Sequence, residues 1–330
     1  MAALYLGGAG CLSPCRAQAV GTALSANIPG ETIATVDATG SVQPAQLDLL
    51  KDLRLWSTVF AGHSSLDGDA QLGTQKVVAS VAGISFGADT QLDENTLMGA
   101  SIGTSRQTFS SAGGNGNSRD LTFALYARRT LFDHAYITAA LGLGLHDVST
   151  RRTSLLFGSV LNAGYHTYDF GGRLEGGYVF NVDDKTLLSP YAAFVGDSYH
   201  QPAYGETASS GPDFLAASFA EKMIDVTHME LGTRFGQSFD LEDGKLLYLD
   251  ALAAWEHELD DNPYINASFQ AFPDTSFVVP GTRAARETAL LGLGLRLQQS
   301  DRLTFGLRSD ARIGTGTTVL SGTADLTYRW

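Results

Sequence analysis

Residues 135–146 read AYITAALGLGLH. Ile137, Ala139, Leu141, Leu143 and Leu145 fall on one parity. Tyr136, Thr138, Ala140, Gly142, Gly144 and His146 fall on the other. A period of two is the signature of an extended strand with two unlike faces. The pattern recurs downstream. Ala289, Leu291, Leu293, Leu295 and Leu297 oppose Gly292, Gly294, Arg296 and Gln298. Leu303, Phe305 and Leu307 oppose Thr304, Gly306, Arg308 and Asp310, and Leu247, Leu249, Ala251, Ala253 and Trp255 oppose Asp250, Ala254 and Glu256. Charges and glycines share one parity each time, and the large apolar residues take the other.

A soluble sandwich alternates too, so strand length and the character of the polar face decide between the two. These strands run for about 10–15 residues, against the ~5–6 usual in soluble sheets, and a tilted membrane-spanning strand needs about 9–11. The non-apolar face is mostly Gly, Ala, Ser and Thr, where a solvated surface would be rich in Lys and Glu. A small-residue, hydrated lumen is the expectation. The 330 residues agree: 37 are Gly, 17% are charged and 44% are hydrophobic. Only five lysines occur, and the mean hydropathy is −0.02. Helical bundles and coiled coils lean on Ala, Glu, Lys and Leu, and disorder needs fewer apolar residues. A net charge of −13 lacks the basic face a nucleic-acid binder requires. No apolar run approaches the ~20 residues of a spanning helix; Ala289–Leu295 is among the longest. The fold class expected is therefore all-β: a twelve-stranded antiparallel transmembrane barrel of the outer-membrane type, facing outer-membrane lipid.

Turn signals divide the chain into strands near 54–63, 75–87, 96–109, 119–130, 134–146, 164–180, 187–199, 225–239, 245–258, 284–298, 302–313 and 320–330. Connections after even strands are short: 89–95, 131–133, 181–186, 240–244 and 299–301. Those after odd strands include a Gly/Asn/Ser loop at 110–118 and longer stretches at 147–163, 200–224 and 259–283. Short turns on one rim and long loops on the other are the outer-membrane pattern, and an even strand count puts both ends of the barrel at the periplasmic side. Phe86, Phe132, Tyr136, Phe180, Phe239, Tyr248 and Trp255 are expected in interfacial girdles. No domain boundary appears after residue 54, because a barrel short of one strand leaves two open edges in lipid.

The first 19 residues, MAALYLGGAGCLSPCRAQA, read as a secretory signal with an apolar run at Ala2–Leu12 and an Ala17-Gln18-Ala19 cleavage site. Both cysteines, Cys11 and Cys15, lie within it, so the exported chain carries no thiol to misoxidise. Residues 20–53 read as a linker and a vestigial passenger. They end in QPAQLDLLKDL from Gln43, where Pro44 suits a helix start and Leu47, Leu50 and Leu53 recur at helical spacing.

At the other end, Ala324, Leu326, Tyr328 and Trp330 alternate with Asp325, Thr327 and Arg329. A terminal aromatic on an alternating last strand resembles the assembly signal of bacterial outer-membrane proteins. Leu326, Tyr328 and Trp330 are the residues that would carry it.

Across residues 54–330 the chain resembles the translocator domain of type V autotransporters. Matching stretches are LWSTVFAGHSS in the first strand, NTLMGASIGTS in the third and YLDALAAWEHEL in the ninth. The segment from Ala267 through FVVPG and the Arg286-Glu287 pair into the tenth strand, with the terminal TYRW, is the most family-like. The resemblance implies a twelve-stranded barrel, insertion by the barrel-assembly machinery, and a lumen helix before the first strand, where Leu47–Leu53 sits. It implies as partner an N-terminal passenger of the same polypeptide. The pair Asn-Asn at which some relatives cleave themselves is missing there, so self-cleavage is not implied. The function expected is translocation of a passenger to the surface of a Gram-negative cell. The alternatives are a stand-alone pore or surface adhesin and, behind it, an outer-membrane hydrolase.

Catalytic patterns are weak. Gly99-Ala100-Ser101-Ile102-Gly103 fits G-x-S-x-G but lies inside an alternating strand, whereas that motif needs a strand-to-helix elbow. His257 has no second His four residues on, as a zincin requires. His63, His146 and His257 fall near the external rim beside Asp147 or Glu256, the placement a rim hydrolase would use; solvated rim polars are expected instead. Neither a cofactor nor a metal is expected. By parity the charges Arg173, Glu175, Glu230, Arg234, Asp250, Glu256, Arg296, Arg308, Asp310 and Arg329 face the lumen, available to a plug helix, to a translocating chain or to one another.

Overall fold

The computed structural model describes residues 53–132, 134–154, 157–259 and 264–329. The expected signal, linker and lumen helix before Leu53, together with Trp330, lie outside these. Among the described residues twelve long strands form one antiparallel sheet. They are β1 (Arg54–Leu66), β2 (Val77–Asp93), β3 (Thr96–Ser111), β4 (Gly114–Leu131), β5 (Ala135–Thr153) and β6 (Val160–Tyr178). Then follow β7 (Thr186–Gln201), β8 (Lys222–Asp240), β9 (Leu246–Glu258), β10 (Glu287–Gln298), β11 (Leu303–Gly314) and β12 (Thr317–Arg329). Every strand pairs with its neighbours in sequence, and β12 closes on β1 from Arg54–Arg329 to Leu66–Thr317. Closure satisfies the whole backbone ladder, the condition for crossing lipid with strands. No described helix is long and apolar enough to cross a membrane.

Parity sets the two surfaces. Along β5, Tyr136, Thr138, Ala140 and His146 are buried inside while Ile137, Leu141, Leu143 and Leu145 are exposed outside. β10 repeats the arrangement, with Leu291, Leu293 and Leu295 outside. Leu293 is 56% exposed on a face that needs lipid. Leu293→Arg is expected to destabilise the barrel by about 2–4 kcal/mol if it lies at midplane depth. Reversible unfolding into bilayers measures this, and a loss below about 0.5 kcal/mol would place Leu293 at the interface rather than the midplane.

The periplasmic turns are tight. Asp243 and Gly244, both at positive φ, turn β8 into β9, as an Asp-Gly pair does in a hairpin. The external side differs from expectation. The Gly/Asn/Ser segment 110–118 is mostly strand: β3 and β4 run on to a two-residue turn, Ala112-Gly113. β5 and β6 likewise extend through most of 147–163. Asn and Gly are poor strand formers, yet Gly114 through Asn117 pair in register with Arg152 through Ser149 of β5, and that pairing outweighs propensity. The connection β11–β12 is only Thr315-Gly316.

The lumen also differs. Some of its glycines are seats for neighbouring side chains rather than open space: a Cβ at Gly87 would fall on the Trp56 indole, one at Gly99 on the Tyr126 ring, and one at Gly294 on the Asp250 carboxylate. Trp56, Tyr126, Tyr136 and Tyr191 are buried inside. Tyr136 therefore leaves the expected girdle, and half-buried Tyr248 shares the inward parity of its cross-strand partner Arg296. Phe86, Phe132, Phe180, Phe239 and Trp255 do face outward.

Candidate functional site

Three connected groups of charged side chains line the inner wall. In the first, Ala193 of β7 stands opposite both Glu175 of β6 and Glu230 of β8. Its small side chain leaves a gap that guanidinium groups cross. Arg173 donates to both Glu230 oxygens at 2.7 and 2.8 Å and to Glu175 at 2.6 Å. Arg234 forks onto Glu175 at 2.6 and 2.9 Å and lies over the Tyr191 ring. Tyr136 donates to Glu175 at 3.0 Å, and His228 approaches Glu230 at 3.4 Å. Bidentate pairs of this kind are the strong, geometrically specific ones.

The second group follows the same logic. Gly294 of β10 stands between Asp250 of β9 and Arg308 of β11. Across it Arg308 reaches Asp250 at 2.9 Å and Asp310 of its own strand at 2.7 Å. In the third, Arg312 holds Glu256 at 2.5 Å, and Thr288, on the strand between, donates to the same carboxylate at 2.7 Å. Arg296 faces inward within electrostatic reach of Asp325. Arg329 sits exposed at the periplasmic end of β12, outside these groups. Of the ten charges singled out by parity, eight are thus joined in pairs.

Parity alone left out several partners. Arg312 belongs to the third group. Arg54, Asp89, Tyr126 and Trp56 form a separate chain near the periplasmic end, with Arg54 to Asp89 at 2.5 Å and Trp56 to Tyr126 to Asp89 at 2.9 Å each. His146 is clamped between Asp120 at 2.7 Å and Asp169 at 2.6 Å. All of these share the inward parity of their strands, and that was the available signal.

The hydrolase candidates do not assemble. His146 points inward and Asp147 outward, where Asp147 meets His166 at 3.6 Å. His257 and Trp255 face out and bind Glu287 at 2.7 and 2.6 Å, while Glu256 faces in. His63 bonds Ser80 at 3.0 Å. Ser101 is buried inside, in the middle of β3. His228, Glu230 and Glu256 come close enough to offer three ligand atoms, but arginines already neutralise both carboxylates, which makes the donor set an ion-pair network.

The external mouth is spanned by folded loops. Residues 204–205, 217–219, 264–269 and 272–280 form a four-stranded sheet. On one side Tyr204 stacks on Tyr165 of β6, and Arg152 of β5 forks onto Glu206 at 2.5 and 2.6 Å. On the far side Thr282 donates to the Gln75 carbonyl at 2.7 Å, and Ala284 packs on Leu66, Val77 and Ala79 of β1 and β2. β5–β6 and β1–β2 lie far apart around the ring, so the loops cross the opening. Phe219, Ile265 and Val279 form their apolar core.

A family model described as autotransporter beta-domain matches residues 55–310. The translocator domain of autotransporter NalP from Neisseria meningitidis superposes with a TM-score of 0.73 at 17% identity, covering 96% of each chain. The beta domain of the Bordetella autotransporter BrkA gives 0.61 at 18% identity, covering 84% of this chain and 99% of that one. Outer membrane protein B of Rickettsia conorii is 23% identical over 283 residues, and that of Rickettsia rickettsii 22% over 318. They cover 82% and 92% of this chain, which spans only 17% and 19% of those relatives' lengths. A closed twelve-stranded barrel with an ionic inner wall, matched over most of its length by that family model, belongs to the autotransporter beta-domain family and is the translocator barrel of an outer-membrane protein of a Gram-negative bacterium.

Proposed function

We propose that this barrel passes an N-terminal passenger of its own polypeptide outward through the lumen and catalyses no reaction of its own. The observation that carries the reading is the inner wall. Arginine–carboxylate pairs bridge β6 to β8 and β9 to β11 across Ala193, Gly294 and Thr288, giving a polar lining whose paired charges an extended chain can slide past. The scattering of His146, Asp147, Glu256 and His257 over two faces supports the non-catalytic part. The outward face is partnered by outer-membrane lipid, and the assembly machinery would read β12 through Leu326, Tyr328 and Trp330.

In this reading two obstacles lie in series along the pore. One is the external cap just described. The other is the helix expected at Gln43–Leu53, whose Leu47, Leu50 and Leu53 would pack on the wall while Asp48, Lys51 and Asp52 meet lumen charges. A helix about 10–12 Å across with its side chains fills much of such a lumen. At this length it is marginal alone, so the wall supplies its order. Resistances in series add. Removing residues 43–52, or replacing 264–280 by a short Gly-Ser linker, should each raise single-channel conductance in planar bilayers modestly. Removing both should raise it several-fold beyond either. A doubly deleted barrel that folds yet conducts like the intact chain would sink the pore reading.

A further inference from the structure

The extensions of β3–β6 beyond the lipid-facing belt carry an outward surface that passenger transport does not use. The belt ends on an in-register row, Thr104, Leu121, Leu145 and Tyr168. Two residues further out, Arg106 stands opposite Arg119, Arg119 opposite Asp147, and Asp147 opposite His166. The next row is short: Thr108, Asn117, Ser149 and Gly164. Beyond it come Ser110, Asn115, Arg151 and Asn162. The short middle row makes a groove of about 430 Å³, lined by Asn115, Asn117, Ser149, Arg151, Asn162 and Thr207 among others.

Charge separates this surface from the rest of the chain. The protein is −13 overall, yet here three arginines face one aspartate, and that aspartate is shared with His166. Several outward acids elsewhere on the external side are satisfied: Glu287 by His257 and Trp255, Asp225 by Ser198, Glu221 by His200. Arg106, Arg119 and Arg151 have no side-chain ion pair or hydrogen bond among the described residues. Like charges directly opposite on neighbouring strands are destabilising, so the Arg106–Arg119 pair costs stability unless an anion bridges it.

We propose that this surface binds the phosphorylated saccharide headgroup of an outer-leaflet glycolipid, with lipid A as the chemical type. Its position, immediately above the apolar belt on the external side, puts it level with headgroups whose acyl chains would lie along Leu121, Leu145 and Tyr168. Guanidinium groups grip phosphate bidentately. Arg119 and Arg151 belong to rows four residues apart, about 13 Å along the strands, a span that suits a disaccharide bearing phosphate at each end. Asn115, Asn117, Ser149 and Thr207 offer amides and hydroxyls to sugar hydroxyls between them. The rows that carry Arg106, Arg119 and Arg151 belong to β3, β4 and β5 alone, so one preferred lipid per barrel is expected.

The test is native mass spectrometry of the full chain in detergent, titrated with lipid A, dephosphorylated lipid A and phosphatidylglycerol. Lipid A should bind in a ratio of one, the dephosphorylated form should not, and phosphatidylglycerol at equal charge should fail to displace it. The triple variant Arg106→Gln, Arg119→Gln, Arg151→Gln should weaken binding by at least about a hundredfold, losing several charge-assisted bonds each worth roughly tenfold or more. Arg302→Gln, in a periplasmic turn, should leave it unchanged. Different gel mobilities before and after boiling show that each variant is folded; if the triple variant is not, Arg119→Gln and Arg151→Gln singly should each cost about tenfold. Retention of lipid A by folded variants within about threefold of the native chain, equal binding of the dephosphorylated form, or displacement by phosphatidylglycerol would each overturn the assignment. None of these readouts depends on passenger transport.

Discussion

Chains carrying Leu326→Asp or Trp330→Asp are expected to be made and exported yet to yield no barrel that resists protease and changes gel mobility on boiling. β12 has two tasks. It pairs with β11 and also closes the seam on β1 along the length of β1, so every other strand pair is held in lipid only if this one forms. Its apolar residues Leu326 and Tyr328 face outward, 40% and 36% exposed, where lipid or an assembly factor meets them before closure. A carboxylate there is exposed to lipid and removes the feature that would be recognised. The matched control is Thr323→Asp. Thr323 has the opposite parity and stands in register with Arg308, so its carboxylate enters the wet, charged lumen and should be tolerated. Tyr328→Phe keeps the outward aromatic and should also assemble. Normal yields of barrel from Leu326→Asp and Trp330→Asp would show that closure does not depend on this end of the strand. Equal failure of Thr323→Asp would trace the loss to charge anywhere in β12.

That one-residue contrast explains why much of this fold was legible in sequence. Parity is a local property: Leu291, Leu293 and Leu295 announce a lipid face without any knowledge of neighbours, and by the same parity Asp250, Arg308 and Glu230 face inward. Partnership is not local. Arg173 reaches Glu230 two strands away, and Arg312 reaches Glu256 two strands away. Those distances depend on register and on Ala193 or Thr288 lying between, which one strand's sequence does not contain. The His146–Asp147 pair failed as a site for the same reason in reverse. Neighbours in sequence on a strand lie on opposite faces, so His146 found Asp120 and Asp169 instead. The composition of 110–118 suggests a loop, and its Gly and Asn conceal a ladder that β5 imposes. The mouth-spanning sheet was invisible because its strands, such as 217–219, are too short to show a period.

Arg173→Met is expected to destabilise the barrel by about 3–5 kcal/mol, the usual cost of removing one partner from a buried ion pair. Arg173 is the cation shared by Glu175 and Glu230, whose side chains are 4% and 3% exposed. Glu175 keeps Arg234. Glu230 is left with His228 and a long contact to Tyr191 at 3.4 Å, so an under-compensated carboxylate remains in the wall. Methionine fills similar volume, which keeps the loss electrostatic rather than steric. If charge rather than packing is the cause, adding Glu230→Gln should recover most of the loss, because the double variant leaves Glu175 with Arg234 and no orphan behind. Denaturant unfolding followed by gel mobility gives the three differences needed for a double-mutant cycle. A double variant as unstable as Arg173→Met alone would mean that Arg173 acts through packing against its neighbours. Recovery would mean that the wall tolerates neutral bridges, so that its charges are retained for what passes through the lumen rather than for the fold.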